Sequence, residues 1–355
     1  MPAFNMIVVG SGGGPDETNL SSYLIKPAEA SWDEGVIGLE AGSGQGALNK
    51  ILSQTPEFWL DKEGDQGYTA AQIYTFVRCY LVTHAHLDHI SSLIMSAGSS
   101  TDRLRKRIYA SEQCLQDLES VFSNRIWPNL ASWKTDDENY KYLYSPLVPD
   151  GKYKTIHPQV SARIMPLSHG RVIDETEGEY TSSAFFVRND SSGHEFLFFG
   201  DVEPDSLALI PRTTEVWRAA APKIPAKLST IFIECSWPSG RPNDMLHGHL
   251  SPEHLVCELT ALAVEVAKVR LTATQAATAN QNASPGPARK RQRRNPPPSI
   301  DLKNILRGLR VYIIHTKGCA SDTPKVILEQ VKQLVLEKGL GAEILLAEQG
   351  MRVDI

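Results

Sequence analysis

Residues 83–92 read THAHLDHISS, which places His84, His86, Asp88 and His89 within six positions, straight after the apolar run from Phe76 to Val82. In an extended segment His84 and His86, two apart, point the same way. Asp88 and His89 then fall on the turn that follows and can point at a second place close by. Imidazole is a ligand for zinc, iron or manganese, and a carboxylate suits a hard cation or a second zinc. A single histidine beside a strand is more often a surface or satisfied core residue. Four such groups crowded together without a metal would compete for hydrogen-bond partners. The cluster therefore reads as part of a metal site, and one stretch of this kind can serve two adjacent cations.

Three more candidates stand in similar settings. His169 lies in MPLSHG after the run Ala162 to Met165, Asp201 ends LFFGD, and His315 follows VYII. All three are expected at strand ends, a common place for functional groups. Each alone has an equally good structural explanation. Joined to the cluster, they complete seven candidate ligands.

Such positions need strands to set them. Apolar, β-branched and aromatic runs are expected as strands at Met6–Val9, Thr75–Val82, Phe196–Phe199, Thr230–Ile233 and Val311–Ile314. Helices are expected over Leu87–Met95, over Ser251–Val269, which opens with Ser-Pro-Glu, and over Pro324–Lys338. The mixture predicts sheets covered by helices, an α/β or α+β sandwich. Residues 271–299 are poor in large apolar groups and are expected as a disordered, low-complexity insertion within one catalytic domain spanning 1–355.

Composition narrows the class. A chain of 355 residues, 41% hydrophobic and 22% charged, can bury a large core. Its formal net charge of -5 gives no general attraction to nucleic acid or acidic membranes, so neither is expected as a partner. No apolar run approaches the ~18 residues of a membrane span, and the start MPAFNMIVVGSGGG lacks the basic region of a signal peptide. Cys79, Cys114, Cys235, Cys257 and Cys319 are scattered and form no CxxC pair. They read as reduced thiols of a cytoplasmic protein. The run ARKRQRR at 288–294 adds a possible nuclear-import signal, although such runs are more often simply solvated.

HAHLDH followed by distant His, Asp and His in this order resembles the metallo-β-lactamase superfamily. A narrower resemblance is to the class II cyclic-nucleotide phosphodiesterases, typical of fungi. It is carried by VVGSGGGPDETNLSSYLI at 8–25, THAHLDHISSLIMSA at 83–97, GDVEPDS at 200–206 and FIECSWPSGRPNDMLHGHLSPEHL at 232–255. The resemblance implies an αββα sandwich with a dinuclear metal site at the sheet edge. It implies His84, His86 and His169 on one divalent cation, and Asp88, His89 and His315 on the other, with Asp201 bridging. Zinc is the first expectation, and manganese or iron(II) also accepts this set.

The implied reaction is hydrolysis of 3′,5′-cyclic AMP, and of cyclic GMP as a further substrate, to the 5′-monophosphate. Among His247, His249 and His254, the resemblance favours His249 as general acid, oriented by Glu234. Asp88 counts with the catalytic groups as well as with the ligands. The glycines at 10–14 lack a dinucleotide or P-loop pattern and are expected to turn a hairpin and bring backbone to the site. Trp237 is a candidate purine contact, whereas Trp127, Trp133, Tyr140, Tyr142 and Tyr144 are better explained as core. Two alternatives stay open: an RNA 3′-end-processing endonuclease of the same superfamily, and a non-catalytic scaffold on the same fold. A homodimer is expected by analogy alone.

Overall fold

Apolar residues alternate between two cores along the central strands, because successive side chains of a strand point to opposite faces. The computed structural model describes residues 2–55, 67–98, 104–172, 178–281, 301–318 and 323–355. The strands are β1 (Phe4–Gly10), β2 (Ser22–Pro27), β3 (Val36–Leu39), β4 (Val77–Leu81), β5 (Lys106–Ala110), β6 (Ala131–Ser132), β7 (Tyr142–Pro146), β8 (Lys154–His157), β9 (Val160–Arg171), β10 (Glu179–Asn189), β11 (Glu195–Phe199), β12 (Leu228–Glu234), β13 (Arg310–Ile314), β14 (Glu343–Leu346) and β15 (Arg352–Asp354). They form two sheets, ordered β15-β1-β2-β3-β4-β5-β7-β6 and β14-β13-β12-β11-β10-β9-β8.

Helices α1 (Gln45–Gln54), α2 (Ala70–Phe76), α3 (Leu87–Ser96) and α4 (Glu112–Val121) cover the first sheet. Helices α5 (Thr213–Ala220), α6 (Pro252–Gln281) and α7 (Thr323–Lys338) cover the second. Between the sheets lie Phe4, Met6, Val8, Phe196, Phe198, Phe232, Tyr312 and Ile314. Their neighbours Ile7, Val9, Leu197, Phe199, Ile231, Ile233, Val311 and Ile313 face the helices instead. Burial on both faces explains why these strands read as unbroken apolar runs. The layers are therefore α, β, β, α, as expected.

Strands β11, β12 and β13 are parallel neighbours. Their C-terminal ends consequently open on one edge, which brings Asp201, Glu234 and His315 side by side. Strand β4 ends at the same edge from the other sheet and delivers the histidine cluster.

Three local expectations need correction. Thr75 and Phe76 do not start a strand but end α2, and β4 begins at Val77. Thr69 makes a reciprocal capping box with Gln72, which starts a helix just ahead of the β-branched run. His169 lies inside β9, not beyond its end. Helix α6 continues to Gln281, through the first part of the segment expected to be disordered. Extending an existing helix with Ala, Thr and Gln needs no new nucleus, and Thr272 and Thr274 bond back to the carbonyls of Lys268 and Arg270 at 2.9 Å. The rest of that segment, with the 288–294 basic run, lies outside the described residues. No helix among the described residues is long and apolar enough to cross a membrane.

Phe232 is fully buried between the sheets, 4.9 Å from Tyr312 and 5.9 Å from Phe196, ring centre to ring centre. Phe232→Ala should lower stability by about 3–5 kcal/mol in a denaturant titration. A loss below about 1 kcal/mol would show that this layer does not set stability.

Candidate metal centre and active site

Strand β4 ends at Leu81, and the chain turns through Val82 and Thr83 into His84. His86 is the extended N-cap of α3, so Asp88 and His89 occupy the first turn of that helix. The reading of one stretch aimed at two neighbouring places is realised in this geometry. His84, His86, His169 and Asp201 present one converging set of ligand atoms, and Asp88, His89 and His315 present another, each within 4.8 Å. Asp201 also groups with His249 and His315.

Asp201 lies at the centre. Its Oδ2 is 3.7 Å from His84 Nε2, 3.6 Å from His169 Nε2, 3.1 Å from His315 Nε2 and 3.7 Å from His249 Nδ1. Its Oδ1 is 3.4 Å from His89 Nε2. Burial alone would raise this carboxyl, but His315 and His89 hold it well below the usual carboxylate range. Asp88 is likewise opposed by burial yet brought down to about 2 by His89, His315 and the Gly14 N–H, which donates to Oδ2 at 3.0 Å. Burial pushes His84 well below the ordinary imidazole value and His169 down to about 3. Their nitrogens are thus lone-pair donors, the form that binds a metal.

Outer contacts aim the rings. Nδ1 of His169 donates to the carbonyl of Gly248 at 2.9 Å, which leaves the Nε2 lone pair facing inward. Nδ1 of His84 meets Thr83 Oγ1 at 3.0 Å. Nδ1 of His89 faces Glu40 Oε1 at 3.6 Å. His86, the exposed member, turns Nδ1 toward His84 and His169, and Tyr180 stacks on its ring at 4.6 Å and 4°. Glu40 and His315 adopt φ of 57° and 55°, an uncommon conformation for non-glycine residues, and such strain clusters at functional sites. Gly13 is needed beside them: a Cβ there would lie 2.3 Å from the His315 ring. The glycine run therefore brings backbone against the site.

The fit to a divalent cation rests on unpaired groups. The ring nitrogens of His89 and His315 and both Asp201 oxygens are buried without a hydrogen-bond partner among the described residues. Leaving so many buried polar atoms unpaired is costly, and imidazole with carboxylate is a donor set that divalent cations accept.

Beside the cluster, Glu234 ends β12 fully buried and His249 lies on the loop before α6. Nδ1 of His249 donates to Glu234 Oε1 at 3.0 Å. The Val202 N–H and the Ser236 hydroxyl fix the same carboxylate at 2.8 and 2.6 Å. Burial, then the charge of Asp201, raises Glu234 to about 7, and burial pushes His249 down to about 3. Lys317 donates to His249 Nε2 at 2.8 Å.

Of the other histidines, His247 is exposed and His254 bonds to Ser251 at the start of α6. Tyr142 and Tyr144 pack in the core beneath the helices of the first sheet. Trp237 lies under the Arg241 guanidinium, 3.7 Å from the ring centre. Sequence reading missed Glu40, Tyr180, Ser236 and Lys317. Glu40 alone carried a signal, since it follows an apolar strand directly, much as Asp201 follows one after a single glycine.

Two sheets packed as a helix-flanked sandwich, with a His/Asp cluster at one edge, define a protein of the metallo-β-lactamase fold. The chain matches YhfI from Bacillus subtilis, described as a metallo-beta-lactamase fold protein, with a TM-score of 0.56 and 13% identity over 99% of each chain. It matches the crystal structure of unliganded yeast PDE1 with a TM-score of 0.78 and 24% identity over 100% of each chain. Residues 13–350 match the family of class-II cAMP phosphodiesterases. The 3′,5′-cyclic-nucleotide phosphodiesterase of Aliivibrio fischeri is 30% identical over 356 residues, 98% of this chain and 92% of that protein. The chain belongs to the class II cAMP phosphodiesterase family.

Asp201→Ala should lose bound divalent metal relative to the unaltered protein in an elemental analysis after dialysis. An unchanged metal count would show that Asp201 is not a shared ligand. Gly13→Ala should displace His315 and reduce the metal content as well, and an unchanged content there would mean that the ring accommodates the extra methyl group.

Proposed function

We propose that the protein hydrolyses 3′,5′-cyclic AMP, with cyclic GMP as a second substrate, to the 5′-nucleoside monophosphate. The observation that carries this reading is the Asp201-centred cluster beside the Glu234–His249 pair, in a chain of the class II cAMP phosphodiesterase family. His84, His86 and His169 would hold one divalent cation, and Asp88, His89 and His315 the other, with Asp201 reaching both. Zinc suits this imidazole-rich set best. Bound there, the cations supply the Lewis acidity that makes water nucleophilic near neutral pH and offsets charge on the phosphoryl group.

The side chains supply the remainder. Breaking the 3′ ester leaves an alkoxide that needs a proton. Glu234 holds Nδ1 of His249, so Nε2 is the nitrogen that can take up the proton released by the attacking water and pass it to the leaving oxygen. Ser236 and the Val202 N–H keep Glu234 in place and so fix the ring. Asp88 stays ionised at physiological pH and can align the attacking water as well as bind a cation.

Purified protein should convert 3′,5′-cyclic AMP to 5′-AMP, followed by chromatography. His249→Ala should keep its metals and turn over about 10²–10⁴-fold more slowly, the usual worth of general acid–base catalysis. Full activity in that variant would remove His249 from the reaction. If the unaltered protein binds two metals yet leaves cyclic AMP intact, the substrate assignment fails and an RNA 3′-end endonuclease activity becomes the reading to test.

A further inference from the structure

The Lys317 ammonium sits against the one nitrogen of His249 that Glu234 does not hold. A lysine ammonium only donates, so its 2.8 Å contact fixes Nε2 as the acceptor. Among the described residues no carboxylate forms an ion pair with this ammonium, whose partner is an imidazole. The side chain also reaches inward from a fixed backbone. The Lys317 N–H donates to Ser236 O at 2.8 Å, and the preceding Thr316 carbonyl accepts from the Gly13 N–H at 3.2 Å. Lys317 is thereby tied to the strand-end residue that orders Glu234 and to the glycine run packed on His315.

A cation so placed does not help to hold divalent metal, since it repels it. It suits an anion that arrives with the metals already bound. Nε2 of His249 is also where the leaving oxygen must come, so whatever lies beside Nε2 lies beside the phosphoryl group.

We propose that Lys317 is a phosphoryl-binding residue: its ammonium leaves His249 Nε2 when substrate enters and holds a non-bridging oxygen of the diester, which seats the leaving oxygen at the freed nitrogen. This assignment rests on reading the cluster as a phosphodiesterase centre. It needs only the fixed charge of the lysine. The role is shared by any phosphate ester that reaches the metals, whatever its base.

The test is calorimetric titration of inorganic phosphate into the zinc-loaded protein, which does not depend on turnover. Lys317→Met keeps most of the stem and removes the charge. It should bind phosphate about 10- to 100-fold more weakly, the usual worth of a hydrogen bond to a charged group, while retaining its zinc. Lys317→Arg should recover most of the binding. With cyclic AMP as substrate, Lys317→Met should raise KM and lower kcat together. Phosphate binding unchanged in Lys317→Met would overturn the proposal. So would loss of zinc from that variant, because the lysine would then act through the metal site. If cyclic AMP is not hydrolysed but phosphate binding still falls in Lys317→Met, the substrate assignment fails and the role of Lys317 stands.

Discussion

A carboxylate buried at the meeting point of two sheets is the constraint around which the site is organised. Asp201 is almost wholly buried, and its oxygens lie within 3.7 Å of nitrogens from five histidines. An isolated buried charge is too costly to keep, so the rings around it must be brought in from every side. The fold does this with parallel strands. β11, β12 and β13 end on one edge, which sets Asp201, Glu234 and His315 in a row. β4 ends on the same edge and adds His84, His86 and His89, and β9 passes close enough to add His169.

The outer contacts complete this arrangement. Thr83, Glu40 and the Gly248 carbonyl occupy or face the second nitrogens of His84, His89 and His169. For His84 and His169 this leaves one lone pair directed at the centre. The left-handed backbone at Glu40 and His315, and the close packing of Gly13 on the His315 ring, are local strains that the surrounding sheets over-determine. The Glu234–His249 pair is built in the same way, with a fully buried carboxylate fixed by Val202 and Ser236 before it meets the ring.

Much of this was legible in the sequence because strands buried on both faces leave continuous apolar runs. A polar residue that ends such a run stands out, as Asp201, Glu234 and His315 do. The crowding in HAHLDH was legible because both its extended and its helical residues lie within one short stretch. The layer order followed from the mixture of runs and amphipathic segments together with the family resemblance. Other features left no local trace. The capping box at Thr69 decides that Thr75 and Phe76 are helical, and it outweighs their β-propensity. The length of α6 depends on propagation from a packed N-terminal half, which composition in a short window does not reveal. Tyr180 reaches the site through the pairing of β10 with β9, and Lys317 lies two residues past His315 in a stretch with no periodicity to aim its side chain.

The most direct measurement is anomalous diffraction at the zinc edge from crystals of the zinc-loaded protein. Two peaks are expected, one among His84, His86 and His169 and one among Asp88, His89 and His315, each about 2.0–2.2 Å from an Asp201 oxygen. A single peak, or two peaks of which one lies out of reach of Asp201, would contradict a centre built on that shared carboxylate.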